Sequence, residues 1–240
     1  MRRDPFRILG LALVVFSSLF ALAFVLAASP PTPNAAPRPE PGPVSPISAV
    51  DAQRLITATT VRVVGFGNSA LQSGSGVACG DGATITNRHV VEGAAAITVA
   101  PHEGPVGFGP VEVSPRADVA VVRTHFRTGQ TVRLADHDPV TGEPVTIAGY
   151  PVGGVALDVR PAKVIDYVSG RYRDEHATVM RVSLNPQPGM SGGPVFDARG
   201  RLAGIVYASE VQSGYGLVIP ASRLRAALNG SGGLTAVGCN

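Results

Sequence analysis

Pro188-Gly189-Met190-Ser191-Gly192-Gly193-Pro194 surrounds one serine with three glycines and places a proline at each end. A serine in such company has few side-chain neighbours, which leaves its hydroxyl open to attack a substrate. Glycine supplies the backbone angles and close approach that such a loop requires, and proline stiffens both ends. The backbone N–H groups of Gly189 and Ser191 can then point to one spot, a candidate oxyanion hole. Taken alone, the heptad reads more simply as a tight turn between strands. Chemistry needs a base for the serine and a group that orients the base.

Two further stretches supply such groups. Ala83-Thr84-Ile85-Thr86-Asn87-Arg88-His89-Val90-Val91 is an apolar strand that ends in a polar corner, with a histidine opening a short helical turn. Arg116-Ala117-Asp118-Val119-Ala120-Val121-Val122 puts one acid at the mouth of a strand too apolar to be exposed. A carboxylate there is costly unless it is hydrogen-bonded, and an imidazole N–H is a suitable partner. The plainer alternatives are a loop or core histidine and a strand-initiating aspartate. Asp136-His137-Asp138 is a weak metal candidate, because consecutive residues on an extended segment point in alternating directions. Asp174-Glu175-His176 reads as a solvated hairpin tip, and His102 and His125 have no matching partner motif.

The elements that must carry these residues are strands. Six short apolar runs between Val61 and Arg123, and six between Pro144 and Ile219, are broken by Gly, Asp, Pro and Asn. This is an all-β pattern of sandwich or barrel type, here two groups joined near Leu134–Pro139. A helical turn around Asp51–Ile56 leads in, and a helix over Ala221–Leu228, stopped by Gly230, closes the domain.

The motifs around His89, Asp118 and Ser191, in that order, resemble the trypsin-like (chymotrypsin-fold) serine proteases of the bacterial HtrA-like branch. Gly216-Leu217-Val218-Ile219-Pro220 resembles that branch too. The resemblance implies two six-stranded antiparallel β-barrels, about 58–135 and about 140–229, within a protease domain over 47–240. It implies a serine endopeptidase with catalytic His89, Asp118 and Ser191, an oxyanion hole from Gly189 and Ser191, a protein or peptide substrate, and no metal or organic cofactor. It also places Asn185, Tyr207, Ala208, Ser209 and Gly216 around the pocket for the residue before the cleaved bond. There is no acid among these, which argues against a strict Arg/Lys preference. Met190 stands where digestive members carry the aspartate that pairs with a freed N-terminus, so cleavage-triggered activation is not expected. HtrA proteins usually carry a PDZ module after the protease, and this sequence ends at Asn240.

Ahead of the domain, Arg2, Arg3 and Arg7 precede an uncharged run from Ile8 to Ala28. At about 1.5 Å per residue, that run reaches roughly 30 Å, the thickness of a bilayer's hydrocarbon core. The reading is a cytoplasmic 1–7, a single transmembrane signal anchor over 8–28 and a protease domain outside the cytoplasm. The alternative is a secreted protein after signal-peptide cleavage at Ala27-Ala28-Ser29. A span in this place is also similar to actinobacterial periplasmic acid-resistance serine proteases. Residues 29–46 are proline-rich and read as an extended linker.

The 240 residues are 45% hydrophobic and 15% charged, with a formal net charge of +3. Most of that excess comes from the N-terminal arginines, so the domain is nearly neutral and offers no footprint for nucleic acid. Two cysteines, Cys79 and Cys239, in an exported chain favour a disulfide; the alternative is a buried free thiol and a frayed tail. Two function classes remain: an extracytoplasmic endopeptidase acting in envelope processing, quality control or stress response, and a noncatalytic binding or sensing module on the same fold. The three intact motifs favour the first.

Overall fold

Ser48 caps the first helix: its hydroxyl accepts from the Asp51 N–H (3.1 Å) and donates to the Asp51 carboxylate (2.7 Å). The computed structural model describes residues 46–67, 71–125, 127–172, 175–229 and 237–239. The proposed span at 8–28 and nearly all of the 29–46 linker therefore lie outside the described residues. Among the described residues, no helix is long and apolar enough to cross a membrane. Helix α1 (Ala49–Thr59) buries Leu55, Ile56 and Thr59 and runs directly into the first strand.

Seven strands form the first half: β1 (Thr60–Phe66), β2 (Leu71–Ala78), β3 (Ala83–Thr86), β4 (Ala96–Ala100), β5 (Gly107–Phe108), β6 (Val111–Val113) and β7 (Ala120–Arg123). Their order is β5-β4-β1-β2-β3-β7-β6, with antiparallel neighbours. The expectation of six strands is corrected to seven, and the ladder has two ends rather than closing. Both ends are short strands, and Pro105 and Pro110 flank β5, where a residue without an N–H limits pairing. Val61, Val63, Ile97, Val99 and Val122 fill the interior of this half.

The second half is a closed six-stranded barrel of β8 (Pro144–Gly149), β9 (Asp158–Tyr172), β10 (Glu175–Val182), β11 (Pro194–Asp197), β12 (Leu202–Glu210) and β13 (Tyr215–Pro220). Its circular order is β10-β13-β12-β11-β8-β9. Two short helices complete the described residues, α2 (Arg88–Val91) after β3 and α3 (Ala221–Asn229) after β13. The product is an all-β, chymotrypsin-like two-barrel fold. One continuous core joins the halves: Val77, Ile85 and Val121 of the first pack in the same cluster as Phe196, Leu202 and Ile205 of the second. Leu224 and Leu228 of α3 seal the same cluster.

Cys79, just after β2, is bonded to Cys239, and both are buried. The tail is docked as well, since the Leu134 N–H donates to Cys239 O (2.9 Å) and the Gly238 N–H donates to Asp81 (2.6 Å). With 160 residues of sequence separation, closing the loop stabilises by about 3–5 kcal/mol in the chain-entropy account. Reduction, or Cys239→Ser, is expected to lower the melting temperature by on the order of 10 °C. An unchanged calorimetric transition in reductant would show that the docked tail, and not the covalent bond, carries that stability.

Candidate active site

Strand β3 is buried along its whole length and stops at Asn87, whose extended backbone turns the chain into α2. Val90 and Val91 bury themselves in the first half and so hold that single helical turn, with His89, at the rim. Asp118 reaches the same corner from the segment leading into β7. Its Oδ1 accepts the His89 main-chain N–H at 2.8 Å, and its Oδ2 lies 2.5 Å from His89 Nδ1. Asn87 Nδ2 donates to Asp118 O at 2.9 Å, tying both ends of the corner together. Asp118 is 1% exposed, and a carboxylate so far from water stays ionised only with such partners. An ionised carboxylate only accepts, so Nδ1 is the donor in this contact, and in the neutral ring the Nε2 lone pair is left available. Tyr207 meets the imidazole edge-on, with ring centroids 6.3 Å apart.

The serine loop is best understood by following its backbone hydrogen bonds. The Met190 N–H closes a turn onto Gln187 O (3.1 Å), with Pro188 and Gly189 in the middle. Gly189 has φ +94°, the value for the third position of a type II turn. A Cβ there would come within 2.6 Å of Tyr150 O and Val152 N, so only glycine fits. Pro188 O accepts from Val152 N (2.8 Å), Met190 O from Gly193 N (2.9 Å), and Ser191 O from Ser75 N (2.8 Å). Gly189 O accepts from Ser75 Oγ (2.8 Å). In a trans peptide the N–H points opposite to its carbonyl. The N–H groups of Gly189 and Ser191 are therefore turned away from these anchors, and neither has a hydrogen-bond partner among the described residues. Met190 is buried in the second barrel's core and holds the loop by packing.

The 150–154 segment that anchors Pro188 is itself held from β1. Arg62 donates to Gly154 O (2.6 Å) and lies 4.8 Å over the Tyr150 ring. Burial pushes the Tyr150 phenol above its ordinary pKa, with Arg62 pulling weakly the other way.

Next to Ser191 opens a cleft of about 400 Å³, around which Asn185, Ala208 and Ser209 are placed with Pro186, Pro188 and Val206. Ser209 Oγ donates to Asn185 Oδ1 within it. Tyr207 and Gly216 are not among the residues around this cleft. A bulge in β12 between Val206 and Ala208 leaves Tyr207 on the His89 side. Gly216 lies behind the wall, paired with Ser209, where a Cβ would press on Leu184 O at 2.6 Å. A larger cavity, about 800 Å³, lies elsewhere between α1 and residues 101–105 and 127–129; it holds neither the serine nor its neighbours. The structure packs Ser191's loop against the corner that carries His89, since a Cβ on Gly192 (φ +84°) would fall 2.4 Å from Thr86 Oγ1. No hydrogen bond joins Ser191 Oγ to His89 in this state, and bonds of this kind often tighten only on substrate binding.

The remaining polar clusters have separate partners. Asp136 pairs with Arg201 (2.5 Å), whereas Asp138 accepts from the Ser222 N–H (2.8 Å) at the start of α3. Their two carboxylates thus serve different elements. Asp174 lies outside the described residues, and Glu175 and His176 form the first rungs of β10 opposite Tyr172 and Arg171. His102 borders the cavity at α1, and His125 is exposed. Sequence reasoning missed Ser75 and Val152, which hold the serine loop from outside its motif. The Gly74-Ser75-Gly76 spacing was the one available signal for Ser75.

A sequence profile described as "Trypsin-like peptidase domain" matches residues 74–205. Serine protease Rv3671c of Mycobacterium tuberculosis is 27% identical over 213 residues, covering 82% of this chain and 53% of the relative. Putative serine protease HhoB of Synechocystis sp. is 32% identical over 158 residues, covering 62% of this chain and 37% of the relative. The chain spans about half or less of the length of these curated relatives. Among solved structures, the active form of the Rv3671c protease superposes with a TM-score of 0.66 at 24% identity, covering 82% of this chain and 92% of that one. The HtrA-type protease AlgW with a tripeptide gives 0.63 at 25% identity, covering 76% and 62%. With more than half of its length matched by that profile, the chain belongs to the trypsin-like peptidase family.

Proposed function

We propose that this protein is a membrane-tethered, extracytoplasmic serine endopeptidase that cleaves peptide bonds in protein substrates. The observation that carries the reading is the juxtaposition of the buried Asp118–His89 pair with a loop whose two unpartnered N–H groups flank Ser191. In the reaction, Ser191 Oγ attacks the substrate carbonyl carbon while His89 Nε2 takes the hydroxyl proton. The C=O π bond opens onto its oxygen, and the N–H groups of Gly189 and Ser191 receive that negative charge. His89 then returns the proton to the leaving amine as the C–N bond breaks, giving an acyl-enzyme on Ser191. Water, deprotonated by the same imidazole, releases the acid and restores the serine. Asp118 holds the ring and offsets the charge of the imidazolium throughout.

The cleft beside Ser191 offers amide, hydroxyl and apolar surface and no charge, which supports preference for an uncharged side chain before the cleaved bond. The apolar run at 8–28 and the proline-rich linker support a tether, with roles in envelope processing, quality control or stress response. A fluorophosphonate probe is expected to label the purified wild-type domain and to spare Ser191→Ala, and the full chain is expected to stay with membranes through a high-salt wash. An unlabelled wild type removes the enzymatic reading, and full release by salt removes the tether.

A further inference from the structure

The serine loop belongs to the second barrel, yet the side chain that grips its middle peptide belongs to the first. Ser75 lies in β2, is fully buried, and makes four hydrogen bonds, three of them across this junction. Its N–H donates to Ser191 O (2.8 Å), and its carbonyl accepts from Thr86 Oγ1 (2.7 Å). Its Oγ accepts from the Tyr150 N–H (2.8 Å) and donates to Gly189 O (2.8 Å). The polarity of the last bond is not free. Tyr150 N can only donate, so a lone pair of Oγ is taken there and the single hydroxyl proton goes to Gly189 O.

We infer that Ser75 is a positioning residue for the oxyanion hole: its hydroxyl holds the Gly189–Met190 peptide, which links the two peptides that carry the Gly189 and Ser191 N–H groups, and so sets the angle between those N–H groups. The inference rests on the proposed protease reading and adds a residue to it. The Met190 N–H end of this peptide is bonded to Gln187 O, and the Ser75 hydroxyl holds its carbonyl end, next to a glycine at φ +94° with low barriers to other backbone angles. Without the hydroxyl, Gly189 O becomes a buried acceptor lacking its partner, a state that costs about 1–3 kcal/mol and is relieved by rotating the peptide. Rotation of this peptide changes ψ of Gly189 and φ of Met190 and tilts the flanking peptides, so that the Gly189 and Ser191 N–H groups no longer converge while the fold stays intact. The hole is therefore assembled across the barrel junction, by the same half of the molecule that supplies His89 and Asp118.

The test is Ser75→Ala in the otherwise intact chain. Removing an oxyanion-hole donor outright costs about 10²–10³-fold in kcat. Loosening one is expected to lower kcat by about 10–100-fold, with KM within about twofold. A peptide aldehyde, whose adduct with Ser191 places an oxygen between the two N–H groups, is expected to weaken by the same factor as kcat. A kcat within twofold of wild type overturns the inference, and so does a lower kcat with unchanged aldehyde affinity. A crystal structure of Ser75→Ala reads the loop without any turnover: Gly189 N–H turned away from Ser191 N–H supports the assignment, and an unmoved loop overturns it. An inactive wild type sinks the protease reading alone and leaves that structural comparison to decide. Should Ser75→Ala fail to fold, Ser75→Cys, which keeps the shape but donates only weakly, takes its place in every measurement.

Discussion

Ser191→Ala is expected to reduce peptide-bond cleavage by about 10⁶-fold in kcat, and His89→Ala by nearly as much. Without the hydroxyl there is no nucleophile, and without the imidazole the hydroxyl keeps its proton. Since each loss disables the same step, the double variant should be little slower than either single one. What survives is the contribution of binding and of the Gly189 and Ser191 N–H groups, which neither substitution removes. The measurement is single-turnover cleavage of a peptide substrate by protein freed of host proteases. Equal rates for wild type and Ser191→Ala would overturn the enzymatic assignment. Multiplicative losses in the double variant would show that His89 and Ser191 do not act as a unit.

Asp118→Asn is expected to keep the fold and lose about 10⁴-fold in kcat, the loss known for this exchange in Ser-His-Asp enzymes. The direction follows from the two contacts of the carboxylate. Oδ1 accepts the His89 main-chain N–H at 2.8 Å, which an asparagine carbonyl oxygen reproduces. That choice leaves the NH₂ group opposite His89 Nδ1, where Oδ2 stood at 2.5 Å. Two donors cannot face each other, so Nδ1 gives up its proton and Nε2 acquires one. The nitrogen that should receive the serine proton is then already occupied. Nitrogen NMR of the ring reads the tautomer directly alongside the rate. Activity within tenfold of wild type, or an unchanged tautomer, would refute this account of Asp118.

The sequence made the strands legible where turn residues bracket them tightly. Short runs closed off by Gly, Pro, Asp or Asn, such as Ala83–Thr86, Val111–Val113 and Pro144–Gly149, are β3, β6 and β8 in the structure. Strand β5 was not legible, since a two-residue strand within the four residues between Pro105 and Pro110 carries no periodicity. The long β9–β10 hairpin extends past its apolar portion into polar residues, with the backbones still paired at Glu175 and Tyr172. At the site, His89, Asp118 and Ser191 were legible because each sits in a distinctive local pattern. Tyr207 was assigned to the cleft because the bulge that turns it toward His89 leaves no mark in composition. Ser75 and Val152 were illegible for a different reason: what they contribute is a hydrogen bond to a residue far along the chain, 114 positions away in the case of Ser75 and Gly189. Such pairings exist only once two barrels are docked.

The bond between Cys79 and Cys239 changes what a cut in the chain would mean. The connection between the barrels runs from the end of β7 at Arg123 to the start of β8 at Pro144, and much of it is exposed. In a chain with free thiols, cleavage there would leave two fragments joined by packing alone, one bearing His89 and Asp118 and the other Ser191. Here the bridge ties the end of the second fragment to the middle of the first. A molecule nicked in that connection therefore remains a single covalent species, with its nucleophile and its base still on one tether. Its two pieces separate only when the bridge is reduced.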